Sequence, residues 1–272
     1  METLLREPGE RNGIHSIEVG TPLLLALAEM PAAASLSDLA ARVRITPSKA
    51  HRYLASFMRL GLVEQDAATG RYDFGPAALT VGLAALRRLD PVRQGRLTLR
   101  ELCDRVGETT VLTVWANKGP TIVGWEESDR PVTVNVRVGS VLPLTTSANG
   151  QIFLAWLPRP VTAPLVEAEE AARAVGPGTG ADAVPLDAVV ERTRHEGLAR
   201  VDGDLQPGIA AIACPVFGLD GRLQAALCVV GASGSLDISR SGPAAEALRQ
   251  AAARLTARLG GSAPQPGDTT AA

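Results

Sequence analysis

Residues 36–74 read LSDLAARVRITPSKAHRYLASFMRLGLVEQDAATGRYDF, and the order of signals in this stretch predicts the fold of the N-terminal part of the chain. The stretch begins with a short helical pattern, for which Ser37 is the predicted N-cap. Leu39, Ala40 and Val43 fall on one face of this helix. We therefore expect a short helix that buries this apolar face against a neighbour.

A second helix is predicted directly after a tight turn at Arg44–Ile45. Thr46 followed by Pro47 is typical of a helix start, because threonine can accept a bond from a free amide and proline needs no amide partner at the first helical position. Gly61 marks the predicted end. The apolar stripe of this helix consists of Ala50, Leu54, Phe57 and Met58. Two helices joined by a tight turn also occur in many folds that do not bind DNA.

The neighbouring segments complete a longer pattern. An upstream helix is predicted from Pro22 at least, with an apolar face formed by Leu23, Leu24 and Leu27. Downstream, Leu62–Gln65 and Arg71–Phe74 flank a polar connection that ends in Gly70, which predicts a β-hairpin. The order helix, helix, turn, helix, hairpin is that of a winged helix-turn-helix.

Positive charge is concentrated in this region. No acidic residue lies between Asp38 and Glu64, although the whole chain has a net charge of −2. The first turns of a recognition helix meet base edges and phosphates in the major groove. The candidate DNA contacts are the polar and basic side chains of the predicted recognition helix and one of the hairpin, namely Thr46, Ser48, Lys49, His51, Arg52, Ser56, Arg59 and Arg71.

Several of these residues also have a structural interpretation. The basic run by itself is more typical of a solvated helix face, and the predicted hairpin after it reverses that preference. His51 is either a phosphate contact or a cap over the helix interface. Arg71 either reaches the DNA or pairs with Glu64 or Asp73 across the hairpin. Tyr53 is interpreted as framework. The sequence leaves the alternatives for His51 and Arg71 open.

The composition restricts the class of protein. A length of 272 residues favours two domains, and 46% apolar with 21% charged residues is ordinary globular usage. Aromatic residues at 3% offer little surface for stacking single-stranded bases. Cys103, Cys214 and Cys228 lack the spacing of a disulfide framework or a zinc cluster. Since neither a signal peptide nor a membrane-spanning run is recognisable, we expect a cytoplasmic protein. We also expect neither a metal nor a cofactor.

Changes in the sequence pattern along the chain predict its division into domains. We expect disorder over 1–15 and 260–272, a winged helix-turn-helix over 16–75, a linker helix over 76–90 and a second domain over 91–259. The linker helix carries an apolar side that could pair with its copy in a dimer, formed by Leu79, Leu83 and Leu86.

The second domain combines strand and helix patterns. Asp90 and Pro91 cap its first helix, and a loop is expected over 174–185. The strand patterns are TTVLTVW (109–115), TIVGWEE (121–127), VTVNVRV (132–138), IAAIACPVF (209–217) and LQAALCVV (223–230). The helical patterns are SANGQIFLAWL (147–157) and Asp187–His195. A sheet with flanking helices in mixed order predicts an α+β fold.

The chain resembles a known family of regulators. Residues 36–79, which extend the quoted stretch to LGLVEQDAATGRYDFGPAAL, resemble the DNA-binding domain of the IclR family of bacterial regulators. Residues 119–156 and 197–231 resemble the two halves of the family's effector domain, so the resemblance spans roughly 16–259. It implies a GAF-like α/β second domain, a homodimer or dimer of dimers, operator DNA as a partner, and a small organic effector.

The resemblance also implies effector contacts. Carried over residue by residue, they are Leu142, Ala148, Asn149, Val201, Ala211, Cys228 and Val230. Better-known members tend to have polar or acidic groups where this chain has Val201, Ala211 and Val230. This departure favours an apolar or aromatic ligand, an acid among them, over a very small polar acid. The three residues are equally compatible with plain core positions.

Two other classes of function compete with this one. An enzyme built on the second domain finds no support, because the sequence contains no GxSxG, GxxxxGK[ST] or HExxH motif, and His15, His51 and His195 are scattered. A ligand-binding or dimerisation module without DNA binding remains an alternative. Salt-sensitive binding of duplex DNA would discriminate a regulator from both.

Overall fold

The computed structural model describes residues 13–87, 90–129, 136–175 and 184–262. The chain divides into two compact units between Leu89 and Asp90. The expected disordered segments 1–15 and 260–272 lie almost wholly outside the described residues.

The N-terminal unit contains four helices and a hairpin within the described residues. They are α1 (His15–Ala28), α2 (Leu36–Val43), α3 (Pro47–Arg59), β1 (Val63–Gln65), β2 (Tyr72–Phe74) and α4 (Pro76–Arg87). Val63 pairs with Phe74 and Gln65 with Tyr72 in the antiparallel hairpin. Ala34 forms an isolated bridge to Tyr72, so the segment before α2 joins the wing. The winged helix-turn-helix order is confirmed.

The start of α2 differs from the prediction. Ser35, not Ser37, is the N-cap: its Oγ accepts the backbone amide of Asp38 at 3.2 Å. The two serines are only two residues apart, and only the backbone conformation decides which one faces the free amide. The tight turn is confirmed, since Arg44 adopts a left-handed conformation with φ 58° at the end of α2. Thr46 caps α3 by accepting the amide of Lys49, and Pro47 opens the helix as predicted.

A small apolar core holds α1, α2 and α3 together. Leu23, Leu39 and Leu54, one from each helix, are fully buried. Gly20 lets α1 approach α3 closely, because a Cβ at this position would lie 2.8 Å from the Cδ1 atom of Tyr53. Tyr53 is half-buried in this contact, which agrees with its interpretation as framework.

The second unit is an α+β domain. Its elements are α5 (Pro91–Val106), β3 (Thr109–Ala116), β4 (Gly119–Glu126), α6 (Ala148–Trp156), α7 (Arg159–Val175), α8 (Leu186–Glu196), β5 (Ala199–Asp202), β6 (Ile209–Phe217), β7 (Leu223–Ala232) and α9 (Pro243–Arg258). The strands form one antiparallel sheet in the order β4-β3-β7-β6-β5. Asp90 caps α5 as predicted, by accepting the amides of Val92 and Arg93.

The central strands are buried on both faces. On one face, residues such as Leu112, Ile212 and Leu227 pack against α5 and α9. On the other, residues such as Val111 and Ala226 pack against α6. Long apolar runs such as IAAIACPVF are therefore expected, because a strand covered on both sides has no solvent face.

The second domain contains elements that the sequence patterns did not indicate. β5 is only four residues long, α7 has Pro164 within it, and α9 is rich in alanine, so each gives a weak periodic signal. The predicted strand VTVNVRV and the predicted loop 174–185 lie largely outside the described residues, and 136–138, at the end of the former, are not in a strand.

Candidate DNA-binding surface and effector cavity

The outer face of α3 is basic and accessible. Lys49, Arg52 and Arg59 are exposed, whereas Ala50 and Leu54 on the opposite face are fully buried. The side chains on this surface border a shallow concavity together with Ser16 of α1, namely Lys49, His51, Arg52, Tyr53, Ser56 and Arg59. Packing therefore fixes the inner face of the helix and leaves the charged face free to meet a partner.

The charges on this face have no ionic partner within the described residues. Among those residues, no carboxylate oxygen lies within 4.0 Å of a side-chain nitrogen of Lys49, Arg52 or Arg59. The Arg42 guanidinium on α2, by contrast, is paired with the Glu29 carboxylate at 2.5 Å. The unpaired cations lie on the helix that a winged helix-turn-helix places in the major groove. Arg42 is held in an intramolecular ion pair and is less available to a polyanion.

Three of the other predicted DNA-binding residues make intramolecular hydrogen bonds. The Thr46 hydroxyl accepts the Lys49 amide, and the Ser56 hydroxyl donates to the Arg52 carbonyl at 3.1 Å. The Arg71 guanidinium donates to the carbonyl of Ala33 at 3.0 Å, a contact that neither sequence alternative included. These side chains hold the helix and the hairpin in place.

His51 and the wing complete this surface. The Nδ1 atom of His51 lies 3.4 Å from the Tyr72 hydroxyl, while the ring is exposed. Asp66 in the wing turn accepts the hydroxyl and amide of Thr69, and these bonds lower its pKa from the ordinary value. With Glu64 and Asp73 also exposed, the wing adds negative charge beside the basic helix.

The second unit contains a cavity of about 370 Å³ between α6 and the sheet, and all seven predicted effector residues line it. These are Leu142, Ala148, Asn149, Val201, Ala211, Cys228 and Val230. The cavity is also lined by residues that sequence reasoning missed, namely Val111, Ile122, Trp125, Val136, Ser147, Leu205, Gln206, Pro207 and Ile209. No charged side chain occurs among these described lining residues.

The register of the strands brings these residues together. Val201 pairs with Ala211, and Ala211 pairs with Val230, so three neighbouring strands present their side chains side by side on one face. Cys228 pairs with Val111 across β3 and β7. Because alternate residues of a strand point to the same face, residues two apart such as Cys228 and Val230 share the cavity wall. The same period was the available signal for Ile209, two residues before Ala211, whereas Val111 joins the wall through the pairing of β3 with β7.

The polar end of the cavity is the first turn of α6. Ser147 caps this helix by accepting the amide of Gly150 at 2.9 Å. Asn149 is 4% exposed, and its Oδ1 atom has no hydrogen-bond partner among the described residues. A buried acceptor without a partner is unfavourable, so this atom is suited to receive a donor from a ligand.

Cys228 forms the sulfur-containing part of the wall. Burial raises the pKa of the Cys228 thiol to about 12, although a hydrogen bond with the Asn149 side chain opposes the rise. The thiol is therefore uncharged near neutral pH and acts as a small, weakly polar surface rather than as a nucleophile.

Two further observations concern metal binding and membrane crossing. Among the described residues, no group of histidine, cysteine and carboxylate side chains is arranged to hold a metal ion. None of the described helices combines the length and apolar character needed to cross a lipid bilayer.

A winged helix-turn-helix with a basic third helix, followed by a domain with a mostly apolar cavity, defines the class of transcription factors that combine DNA binding and ligand sensing in one chain. Comparison with known families agrees. The profile of the IclR helix-turn-helix domain matches residues 16–67, and that of the bacterial transcriptional regulator IclR C-terminal domain matches residues 83–257. The chain belongs to the IclR family of bacterial transcriptional regulators.

Individual relatives support this assignment over nearly the whole chain. The regulator XynR of Escherichia coli K12 is 24% identical over 247 residues, which cover 91% of this chain and 98% of XynR. The regulator BhcR of Paracoccus denitrificans is 26% identical, with 91% and 88% covered. Since these relatives are named as regulators and not as enzymes, the chain is a DNA-binding transcriptional regulator and the enzyme alternative is set aside.

Solved structures agree as well. The crystal structure of Pseudomonas aeruginosa HmgR is 41% identical and has a TM-score of 0.84, covering 92% of this chain and all of HmgR. An IclR homologue from Microbacterium hydrocarbonoxydans, complexed with 4-hydroxybenzoate, is 23% identical with a TM-score of 0.51, covering 90% of this chain and 98% of that one. The more distant likeness shows the shared fold.

Proposed function

We propose that this chain binds a two-fold operator through α3 and changes its operator affinity when an organic effector occupies the cavity. The observation that carries the DNA part is the set of unpaired cations on the exposed face of α3. Ser48, Lys49, His51, Arg52 and Arg59 supply the contacts. Thr46, Ser56 and Arg71 contribute mainly by holding the helix and hairpin, as their hydrogen bonds suggest.

The experiment compares two substitutions on this face. If Arg52 contacts a guanine edge, Arg52→Ala costs about 1–3 kcal/mol of operator binding and relaxes preference at one base pair per half-site. If Lys49 neutralises a phosphate, Lys49→Ala weakens all duplexes alike and lowers the salt slope by about one unit for each phosphate that is no longer neutralised. Fluorescence anisotropy, with the DNA duplex upstream of the gene for this protein as the probe, measures the affinity and its salt dependence for both variants.

The melting temperature is the control for this experiment. Lys49 and Arg52 are exposed and occupy helical positions, so alanine should leave the fold intact. Wild-type operator affinity in the Lys49→Ala, Arg52→Ala double variant would refute the assignment.

The proposed effector is a compact apolar or aromatic molecule with a hydrogen-bond donor. The cavity wall supplies apolar contact, and the Oδ1 atom of Asn149 is an acceptor at its buried end. Hydroxyl-bearing aromatic compounds meet both conditions, and 4-hydroxybenzoate, found in one structural relative, is a suitable first probe. An acid group on such a ligand would face the backbone amides at the start of α6, since no described lining side chain is cationic.

We further propose that the protein is a homodimer, or a dimer of dimers, in the cytoplasm. Leu79 and Leu83 lie one turn apart on α4 and are 64% and 45% exposed. An exposed apolar face on a helix suits pairing with a second copy, and a two-fold operator needs two recognition helices. The side chain of Leu86 lies outside the described residues. In this proposal α4 is the linker helix between a DNA-binding domain over 16–75 and an effector domain over 91–259.

A further inference from the structure

The loop that leads to the polar end of the cavity is held by a carboxylate from another helix. Residues 142–149 comprise this loop and the start of α6, and both ends line the cavity. The side chain of Glu169 on α7 accepts the backbone amide of Leu144 at 2.6 Å and that of Thr145 at 3.0 Å. One side chain distant in sequence therefore fixes two consecutive amides of the loop.

Thr145 is the centre of this arrangement. Its hydroxyl donates to the Oε2 atom of Glu169 at 2.9 Å and accepts Nη2 of Arg173 at 2.6 Å. Its carbonyl accepts the side-chain amide of Gln151 at 3.3 Å. Glu169 and Arg173 are four residues apart and so lie on one face of α7. The amide, carbonyl and hydroxyl of Thr145 are thus all engaged, which fixes the loop at its middle.

The loop in turn lies directly against the first turn of α6. Ser147 donates its hydroxyl to the carbonyl of Pro143 at 2.5 Å while it caps the helix. A Cβ at Gly150 would collide with the carbonyl oxygen of Pro143 and with the Cα atom of Leu144. Because no space separates the two, displacement of the loop would also displace Asn149.

We propose that Glu169 is a positioning residue for effector recognition. It does not line the cavity. It holds the loop so that the Oδ1 atom of Asn149 faces the ligand and the cavity wall stays closed over Cys228. This inference rests on the proposed effector site. Binding strength depends on such preorganisation, because a ligand that must first order its site loses that free energy from its affinity.

The test uses Cys228 as a reporter in the full-length protein. Glu169→Gln keeps the size of the side chain but replaces one acceptor oxygen by an amide NH2 group. Because this group can only donate, it cannot accept a hydrogen bond from the backbone amides of Leu144 and Thr145. Glu170→Gln is the matched control, since Glu170 is the next residue on α7 and its side chain is exposed to solvent. Labelling by N-ethylmaleimide, followed by peptide mass spectrometry, gives the rate at each cysteine separately.

We expect Glu169→Gln to raise the labelling rate of Cys228 at least about tenfold, the factor produced by losing one charge-assisted hydrogen bond. Cys214 is equally buried but packs on the α9 side of the sheet, so its rate should not change. Glu170→Gln should leave both rates at the wild-type value. An unchanged Cys228 rate in Glu169→Gln, or a parallel rise at Cys214, would overturn the proposal, the second because it indicates general loosening.

A second arm separates this proposal from the effector proposal. Added 4-hydroxybenzoate should slow the labelling of Cys228 in the wild type. In Glu169→Gln, an about tenfold higher concentration of 4-hydroxybenzoate should be needed for the same protection. Absence of protection in the wild type contradicts the proposed effector class, whereas the labelling contrast without ligand still tests the role of Glu169. Equal protection of wild type and Glu169→Gln contradicts the positioning role alone.

Discussion

Replacing Asn149 with leucine should stabilise the protein and abolish its effector response at the same time. The Oδ1 atom of Asn149 is buried without a partner among the described residues, and such an atom costs about 1–3 kcal/mol. Leucine has the same number of side-chain heavy atoms in the same branched arrangement and no polar atom, so this cost disappears. The substitution also removes the hydrogen bond with Cys228, worth about 0.5–1.5 kcal/mol.

The difference is a net gain of about 1 kcal/mol, which raises Tm by about 2–4 °C for a domain of this size. Differential scanning calorimetry without ligand measures this gain. Operator binding without ligand should equal that of the wild type, because Asn149 lies in the second unit and α3 in the first. The effector's influence on operator binding, measured by anisotropy, should be lost.

Thr113→Val is the matched control for this prediction. The Thr113 hydroxyl is also buried without a partner among the described residues, but Thr113 does not line the cavity. Valine has the same shape, so the variant should gain stability and keep the full effector response. A lowered Tm in Asn149→Leu would refute the stability argument, and a preserved effector response would place the effector site elsewhere.

Two further predictions concern assembly and pH. Light scattering should show a dimer at micromolar concentration, and Leu79→Glu with Leu83→Glu should give a folded monomer with weakened operator binding; a wild-type monomer would exclude the proposed pairing. Burial raises the pKa of the Cys214 and Cys228 thiols to about 12 from the ordinary 9.0. The contribution of these thiols to the free energy of unfolding is therefore complete below pH 9, and it falls as the pH rises from 9 through 12. Urea unfolding between about pH 8 and 10.5 should therefore show a steeper loss in wild type than in Cys228→Ala, and equal slopes would contradict the burial argument.

The sequence by itself determined the elements whose signals are local. The cap at Thr46, the proline after it and the stripe through Leu54 all act within a few residues, so they can be interpreted without knowing the rest of the molecule. The same holds for the Asp90 cap and for the long strands of the second domain. The choice of Ser37 over Ser35 was wrong because both residues offer the same chemistry and differ only in backbone conformation.

The tertiary structure alone decided which residues meet. The resemblance indicated Asn149 and Cys228, but their proximity depends on the register of β7 and on the packing of α6 over the sheet. Trp125 and the 205–207 segment join the cavity wall from other parts of the chain. Glu169 lies 24 residues from Thr145, on a helix with a weak periodic signal, and no pattern in the sequence connects them. Contacts between distant segments depend on the sum of all packing, whereas caps and turns depend on their immediate neighbours.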